Sequence, residues 1–322
     1  MSLLVSFLQS VFRPFLSARK TVFPIVGLSA SIAFSAPADK PDGTAYIFTS
    51  FRGSGDGLHL AYSKDALNWT DLDHVFLKPT LGRKLLRDPH ILHGPDDLYH
   101  MVWTTGWKDQ GIGYATSKDL INWSEQRFLP LTKELPGATN CWAPETHYDA
   151  KTGQYLIVWS SNVPVADKES FRAYYVLTRD FETFTKPQML FDPGFSNIDA
   201  TIVESGGKYY VVFKKTDDSK KTGKWSPILV AVADSLLGPY HLLPDPVIEN
   251  ERVEGPGPVT IGDKTIVYYD FYGAGRYGAR ETTDWKIWKD VTKNIKTVKG
   301  QRHGSILPVP ASLIQELLNY NK

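Results

Sequence analysis

The stretch Tyr62–Trp69, which reads YSKDALNW, is nearly copied at Thr116–Trp123 as TSKDLINW. Looser copies stand at Thr178–Phe184, Ala233–Tyr240 and Thr282–Trp288. All but one of them keep an aspartate that is followed four residues later by an aromatic residue. The aspartates are spaced by 54, 61, 54 and 50 residues, at Asp65, Asp119, Asp180, Asp234 and Asp284. A period of this length is typical of repeat architectures, in which each copy forms one structural unit.

Each copy is preceded by short runs that read as β-strands. LYHMVWTT, QYLIVWSS, KYYVVFKK and KTIVYYDF are continuously apolar or alternate with period two. The five units predict an all-β fold, a five-bladed β-propeller, because the competing packed sandwich gives no reason for a fivefold repeat. The first unit lacks one strand, and we expect Gly304–Val309 to supply it and close the ring. The tail PASLIQELLNYNK predicts a short C-terminal helix.

The N-terminal segment, residues 1–36, reads as a secretory signal. Its first part carries three basic residues and no acidic one, and an apolar run then ends in small residues. A membrane anchor is the alternative, but Pro24 disfavours a spanning helix, which needs about 20 apolar residues. We therefore predict a secreted or periplasmic protein with one mature domain, residues 37–322. The single cysteine, Cys141, excludes an intrachain disulfide, and we expect it to be a packing residue rather than a nucleophile.

The charge pattern does not point to a nucleic-acid partner. The formal net charge is +1, and no dense run of Lys and Arg is present. The basic stretch Lys214–Lys224 is interrupted by Asp217 and Asp218, so we interpret it as a solvated loop. The aromatic content of 13%, with nine tryptophans, suits a β-rich protein and also one that stacks against sugar rings.

Charged residues mark the start of the predicted innermost strand in each unit. RDPHILHG contains Asp88, WAPETHYD contains Glu145, NIDATIVE contains Asp199, VEGPGPVTIG contains Glu254 and RHGSILPV contains His303. If these positions are equivalent, four acids and a histidine surround one mouth of the central channel. Because an unpaired carboxylate is costly to bury, the fold alone does not explain this set. We interpret it as an active site.

Convergent carboxylates beside aromatic rings suit glycoside hydrolysis, in which one carboxyl group donates a proton and another accepts one. Crowding of like charges raises one pKa and so separates the two roles. We expect Trp107, Trp142 and Phe271 to stack on a sugar, with core packing as the alternative for each ring. Arg276, in the loop YGAGRYG, and His90, two residues beyond the first acid, are further candidate substrate contacts.

In their order and spacing these motifs resemble glycoside hydrolase family 43, the five-bladed propellers that include arabinofuranosidases, xylosidases and arabinanases. RDPHI, WAPETHYD, NIDATIV, VEGPGPV and RHGSIL carry the resemblance over roughly Thr44 to Val309. The resemblance implies an inverting, single-displacement mechanism in which Asp88 is the general base and Glu254 the general acid. It implies that Asp199 tunes the pKa of the acid and orients the sugar. Inversion places the acid and base carboxyls about 6.5–9.5 Å apart.

The resemblance also implies that His303 lies near the channel axis, where many members bind calcium through water. We expect a structural histidine in preference to a calcium site, and we count His303 among the candidate substrate contacts. No redox cofactor is required. Glu145 is predicted to hold a sugar hydroxyl or to pair with Arg87 or Arg302. Acids away from the strand starts are interpreted as loop or surface residues, namely Asp56, Asp270 and Glu281.

We therefore predict a hydrolase that cleaves terminal glycosidic bonds in oligosaccharides or polysaccharides, with an α-L-arabinofuranosyl or β-xylosyl donor. A galactosyl donor is one alternative, and phosphorolysis is disfavoured because the mouth lacks a basic cluster. A non-catalytic carbohydrate-binding or protein-binding propeller is the alternative from another class, and the set Asp88, Asp199 and Glu254 argues against it. The motif NIDATIV departs from relatives, which often have proline after the aspartate, and the donor sugar stays open.

Overall fold

The computed structural model describes residues 43–165, 170–216 and 222–320, which form the five four-stranded sheets of a β-propeller. They belong to one compact unit, Asp39–Lys322. The predicted signal segment, residues 1–36, lies outside the described residues. No helix within the described ranges is long and apolar enough to cross a membrane. The prediction of an all-β, five-bladed propeller is confirmed.

Every blade is an antiparallel sheet whose first strand lies nearest the centre. Blade one contains β20 (Ile306–Pro310), β1 (Thr44–Ser50), β2 (His59–Ser63) and β3 (Thr70–Asp71). Blade two contains β4 (Arg87–His93), β5 (Tyr99–Thr104), β6 (Ile112–Ser117) and β7 (Arg127–Leu129). Blade three contains β8 (Trp142–Asp149), β9 (Gln154–Asn162), β10 (Phe171–Thr178) and β11 (Gln188–Phe191). Blade four contains β12 (Asn197–Ser205), β13 (Lys208–Lys215), β14 (Ile228–Ala233) and β15 (His241–Leu242). Blade five contains β16 (Glu254–Ile261), β17 (Lys264–Phe271), β18 (Arg276–Thr282) and β19 (Lys289–Asp290), followed by a 3₁₀ turn, Thr292–Asn294.

The end of the chain closes the ring, as predicted. Strand β20 pairs with β1, so that Ile306 lies opposite Phe48 and Leu307 opposite Ile47. The predicted C-terminal helix follows at once as α1 (Ala311–Tyr320). Its Leu317 is fully buried against the apolar cluster between blades one and two. Closure leaves no innermost strand unpaired at the join between the first and last repeats, which removes an edge that could recruit another chain.

Five apolar clusters hold the blades together, one at each junction between neighbouring blades. Successive side chains of a strand point to opposite faces of its sheet, so each central strand supplies two clusters. In β13, Val211 packs toward blade three and Val212 toward blade five. This explains why KYYVVFKK reads as continuously apolar rather than alternating. Each buried valine contributes about 1.5–3 kcal/mol relative to an exposed one.

The repeated aspartates that predicted the fold are turn residues. One carboxylate oxygen of Asp65 accepts hydrogen bonds from the backbone N–H groups of Leu67 and Asn68, each at 2.8 Å. Three other copies form the same turn, at Asp119, Asp180 and Asp284. The loosest copy differs, because Asp234 pairs with Lys208 at 2.7 Å instead. The aromatic residue that follows is part of the core at Trp69, which is 3% exposed.

Candidate active site

A bulge interrupts four of the innermost strands at the same level. The pairing register shifts between Arg87 and His90, between Trp142 and Glu145, between Ile198 and Thr201, and between Glu254 and Gly257. In every bulge the second residue has positive φ, at Asp88 (51°), Ala143 (44°), Asp199 (54°) and Gly255 (58°). Aspartate tolerates this conformation better than most residues. A bulge re-aims side chains and is common beside active sites.

These bulges correct the predicted equivalence of the acids. Only Asp88 and Asp199 occupy the positive-φ position, which Ala143 fills in blade three. Glu254 lies one residue earlier in its bulge, and Glu145 lies two residues later in its own. The prediction that the acids share one position is therefore wrong, because the repeat fixes the strand but not the register of the acid within it.

The side chain of Asp88 is 12% exposed and is paired on both carboxylate oxygens. Its Oδ1 lies 3.2 Å from Nδ1 of His303, and its Oδ2 accepts a hydrogen bond from the Thr104 hydroxyl at 2.8 Å. Burial raises the pKa of Asp88, but the charge and hydrogen bond of His303, the charge of Arg87 and the Thr104 hydroxyl together lower it below its usual value. The same pairing raises the pKa of His303 to about 9, although burial alone would lower it. At neutral pH the two groups are a carboxylate and an imidazolium.

Asp199 lies in the same pocket and has the opposite tendency. Its Oδ2 accepts a hydrogen bond from the backbone N–H of Gly255 at 3.1 Å, and its own N–H donates to Ser160 at 3.1 Å. Burial raises the pKa of Asp199 and the nearby charge of Asp88 adds to this, while His303 opposes it. The contact with Gly255 places Asp199 against the bulge that carries Glu254.

Glu254 is a carboxyl group with a proton affinity suited to neutral pH. Burial, and then the charges of Asp199 and Asp270, raise its pKa to about 7, against the opposing charges of His303 and Arg302. Nη2 of Arg302 donates to Oε1 of Glu254 at 2.9 Å, and Nε of Arg302 donates to Oδ2 of Asp270. A group that ionises near pH 7 can hold a proton for donation.

Asp270 corrects another prediction. The prediction that Asp270 is a loop or surface acid is wrong, because Asp270 lies near the C-terminal end of β17 and is 0% exposed. Asp56 does lie at the surface, where it pairs with His59, and Glu281 bridges Lys264 and Lys289 on blade five. The sequence contained a signal for Asp270, since an acid inside the apolar run KTIVYYDF requires a buried partner.

His90 and Glu145 line the same small cavity as Asp88, Asp199 and His303. Oε2 of Glu145 is 3.1 Å from Nε2 of His147 and 3.9 Å from Nε2 of His90, and it accepts the backbone N–H of Ile202 at 3.2 Å. The predicted pairing of Glu145 with Arg87 or Arg302 is therefore wrong. Nδ1 of His90 accepts the N–H of Thr146 at 3.3 Å. Burial lowers the pKa of His90 to about 4, so its imidazole is neutral.

The side chains of His90, Glu145 and His147 offer ligand atoms within 4.8 Å of one another, a spacing that a metal ion could draw together. The hydrogen bonds from blades three and four already occupy Nδ1 of His90 and Oε2 of Glu145, so we assign both to contacts between blades. His303 is poorly suited to calcium, which prefers oxygen ligands, because its Nδ1 is paired with Asp88 and its ring is protonated at neutral pH.

Two of the three candidate stacking residues lie together on an exposed surface. Trp107 is 56% exposed, its ring centroid lies 5.7 Å from that of Trp142, and its carbonyl accepts the Trp142 indole N–H at 3.0 Å. The Arg87 guanidinium stands 4.6 Å from the Trp107 centroid. Phe271, in contrast, is 9% exposed, and Arg276 covers its ring at 3.8 Å. Phe271 and Arg276 therefore pack against each other, and Phe271 offers no free face to a sugar.

Comparisons with known proteins agree with this architecture. A family model described as a probable glycosyl hydrolase domain matches residues 42–314. An α-L-arabinofuranosidase of Bifidobacterium longum subsp. longum is 31% identical over 169 residues, a match that covers 44% of this chain and 16% of that protein. The chain thus spans about a sixth of the length of that curated relative.

Two solved structures share the fold. A thermostable family-43 glycoside hydrolase aligns with a TM-score of 0.54 and 22% identity, over 68% of this chain and 78% of that one. An α-L-arabinanase of Cellvibrio cellulosa, complexed with arabinohexaose, aligns with a TM-score of 0.53 and 17% identity, over 78% of this chain and 88% of that one. At these identities the likeness shows the fold alone.

Proposed function

The chain belongs to the family of probable glycosyl hydrolase domains and is a glycoside hydrolase of the family-43-like propeller type, and from this premise we propose an inverting hydrolase of terminal glycosidic bonds. One observation supports the proposal most directly. Two carboxyl groups that both interact with the charge of His303 differ in proton affinity, since the pKa of Asp88 is lowered and that of Glu254 is raised to about 7. General acid–base hydrolysis needs that difference, because one group must be ionised while the other keeps its proton.

In the proposed reaction Asp88 accepts a proton from water as the water oxygen bonds to the anomeric carbon. The bond between that carbon and the leaving oxygen breaks, and Glu254 transfers its proton to the leaving oxygen. Asp199 touches the Glu254 bulge and adds negative charge beside it, so it keeps the acid protonated. Displacement in one step inverts the configuration of the sugar.

For the donor sugar we propose an α-L-arabinofuranosyl or a β-xylosyl residue at the end of an oligosaccharide or polysaccharide. The curated relative from Bifidobacterium longum is an α-L-arabinofuranosidase, and this likeness favours the first sugar. We assign the exposed Trp107 and its half-buried neighbour Trp142 to the part of the substrate beyond the scissile bond, because stacking aromatics can hold successive sugar rings.

The first experiment measures hydrolysis of nitrophenyl glycosides that carry arabinofuranosyl, xylosyl and galactosyl groups. We expect turnover of the arabinofuranoside or the xyloside, and proton NMR of the first product formed should show the inverted anomer. Turnover of the galactoside alone would change the donor, and retention of configuration would contradict the mechanism. Sugar binding without turnover of any glycoside or natural oligosaccharide would favour a non-catalytic propeller.

The second experiment tests the assigned acid. Glu254→Gln removes the transferable proton while the shape is kept, and it should lower kcat/KM at least about a hundredfold. Glu281→Gln is the matched control, because it removes an ion-paired acid from the same blade. The loss in Glu254→Gln should shrink for a dinitrophenyl glycoside, whose leaving group needs little protonation. Equal activity of the two variants would exclude Glu254 as the acid.

We also propose that residues 1–36 direct export and that hydrolysis needs neither a redox cofactor nor calcium. The basic start and small-residue end of the segment support export. N-terminal sequencing of the protein from the culture medium or periplasm tests it, and an intact N-terminus would contradict it. Activity should survive dialysis against a chelator, since the residues around His303 pair with one another.

A further inference from the structure

In blades two to five, one residue of the second strand contacts the next blade at the level of the bulge. In each of these blades that residue pairs with the first residue of the bulge. The four residues are Thr104, Ser160, Lys214 and Asp270. Thr104 accepts the N–H of Ala143 at 2.8 Å, and Ser160 accepts that of Asp199 at 3.1 Å. Lys214 donates to the carbonyl of Val253 at 2.6 Å. In these three blades the partner is a backbone group of the neighbouring blade.

Asp270 differs from the other three because its partner is a side chain, that of Arg302, and not a backbone group. The carboxylate accepts a hydrogen bond from Nε of Arg302, and Nη2 of the same guanidinium donates to Glu254 at 2.9 Å. The guanidinium is planar, so fixing Nε also fixes the direction of Nη2. Phe51 lies against the group, with its centroid 5.5 Å away. The orientation of Glu254 is therefore set from blades five and one together.

Because Arg302 pairs with both Asp270 and Glu254, its positive charge is shared between two carboxyl groups. Arg302 lowers the pKa of Glu254 and Asp270 raises it. If Asp270 carried no charge, the positive charge of Arg302 would act on Glu254 alone. The pKa of Glu254 would then fall, and Glu254 would be a carboxylate at neutral pH. A carboxylate cannot donate a proton to the leaving group.

We propose that Asp270 is a positioning residue for the general acid, which holds Arg302 in the orientation that fixes Glu254 and shares its positive charge. This inference rests on the proposed role of Glu254. Asp270 itself is fully buried, whereas the side chains of its partners Arg302 and Glu254 are 21% and 24% exposed.

The test is the pH dependence of kcat/KM for Asp270→Asn. The variant keeps the shape but lacks the charge, so the limb on which activity falls as pH rises should move down by about one pH unit. Activity at pH 7 should fall about fivefold for a nitrophenyl glycoside and less for a dinitrophenyl glycoside. Arg302→Lys keeps the positive charge but cannot donate to Asp270 and Glu254 in one fixed plane. It should therefore lower kcat/KM without moving the limb down in pH as Asp270→Asn does.

Controls separate this proposal from a purely structural role. Asp270→Glu restores the charge and should restore the position of the limb, and Glu281→Gln should leave it unchanged. Thermal denaturation shows whether each variant is folded. An unshifted limb in folded Asp270→Asn, with Glu254→Gln inactive, would overturn the positioning role alone. An active Glu254→Gln would overturn the assigned acid first. If Asp270→Asn does not fold, a folded Arg302→Lys that keeps the wild-type kcat/KM decides against the proposal.

Discussion

Replacing His303 by glutamine removes the positive charge nearest the assigned base and keeps a group that can donate to it. The pKa of His303 is raised from 6.5 to about 9 by the charge of Asp88, their hydrogen bond, and the charges of Asp199 and Glu254, against burial. A shift of this size corresponds to about 3 kcal/mol of interaction with the protonated ring. Asp88, at 3.2 Å, holds the direct contact. We expect the pKa of Asp88 to rise in the variant, because the charge and hydrogen bond of His303 lower it in the wild-type protein.

Two measurements follow from this shift. The limb of the kcat/KM profile on which activity rises with pH should move up by about 1–2 units in His303→Gln, because Asp88 must be ionised to act as a base. The folded pKa of His303 lies above its unfolded value, so its stabilisation is complete below pH 6.5 and is lost as the pH rises through 9.

Urea denaturation of the wild-type protein should therefore show a decline of up to about 3 kcal/mol between those pH values. The same decline should be missing from His303→Gln. His93→Gln is the matched control, since His93 lies at the exposed end of the same channel strand that begins with Asp88. Parallel stability curves for wild type and His303→Gln, together with an unmoved activity limb, would refute the reasoning.

Three further changes test separate contacts. Thr104→Val leaves the N–H of Ala143 without its partner, so urea denaturation should show a loss of about 1–3 kcal/mol, and a stability equal to wild type would contradict the contact. Trp107→Ala removes an exposed ring and should raise KM for oligosaccharides about three- to tenfold with little change in kcat, whereas an unchanged KM would move the binding surface elsewhere. Glu145→Gln should lower the unfolding free energy by about 1–3 kcal/mol and change kcat/KM less than about threefold, and a larger kinetic loss would return Glu145 to the substrate contacts.

The repeat was sufficient to predict the fold because it records local chemistry. Asp65 and its copies hold tight turns through their own backbone N–H groups, and such turns need the same residue type wherever they recur. The apolar strands that precede the turns must fill two inter-blade clusters each, so they keep their composition. Closure by Gly304–Val309 was predictable for a similar reason, since the first repeat lacked an innermost strand.

The position of each acid within its strand could not be read in the same way. A bulge adds one residue against the partner strand, and a shift of one residue turns a side chain to the other face. Asp88 and Asp199 keep the positive-φ position, but Glu254 precedes it and Glu145 follows it. Aligned motifs therefore made Glu145 look equivalent to the other acids, although it has a different place in its bulge and contacts His147.

Different cation partners help to explain why the half-buried carboxyl groups of Asp88 and Glu254 differ in proton affinity. Burial raises the pKa of Asp88 and Glu254 alike, so their separation must come from their partners. Asp88 has a direct contact with His303 and the Thr104 hydroxyl as well. Glu254 has a direct contact with Arg302, which another buried acid shares. The pKa of Asp88 is lowered because His303, Arg87 and the Thr104 hydroxyl together outweigh its burial. The pKa of Glu254 is raised because burial and the charges of Asp199 and Asp270 outweigh His303 and the shared Arg302, and a change in the charge of either cation should alter one limb of the pH profile before the other.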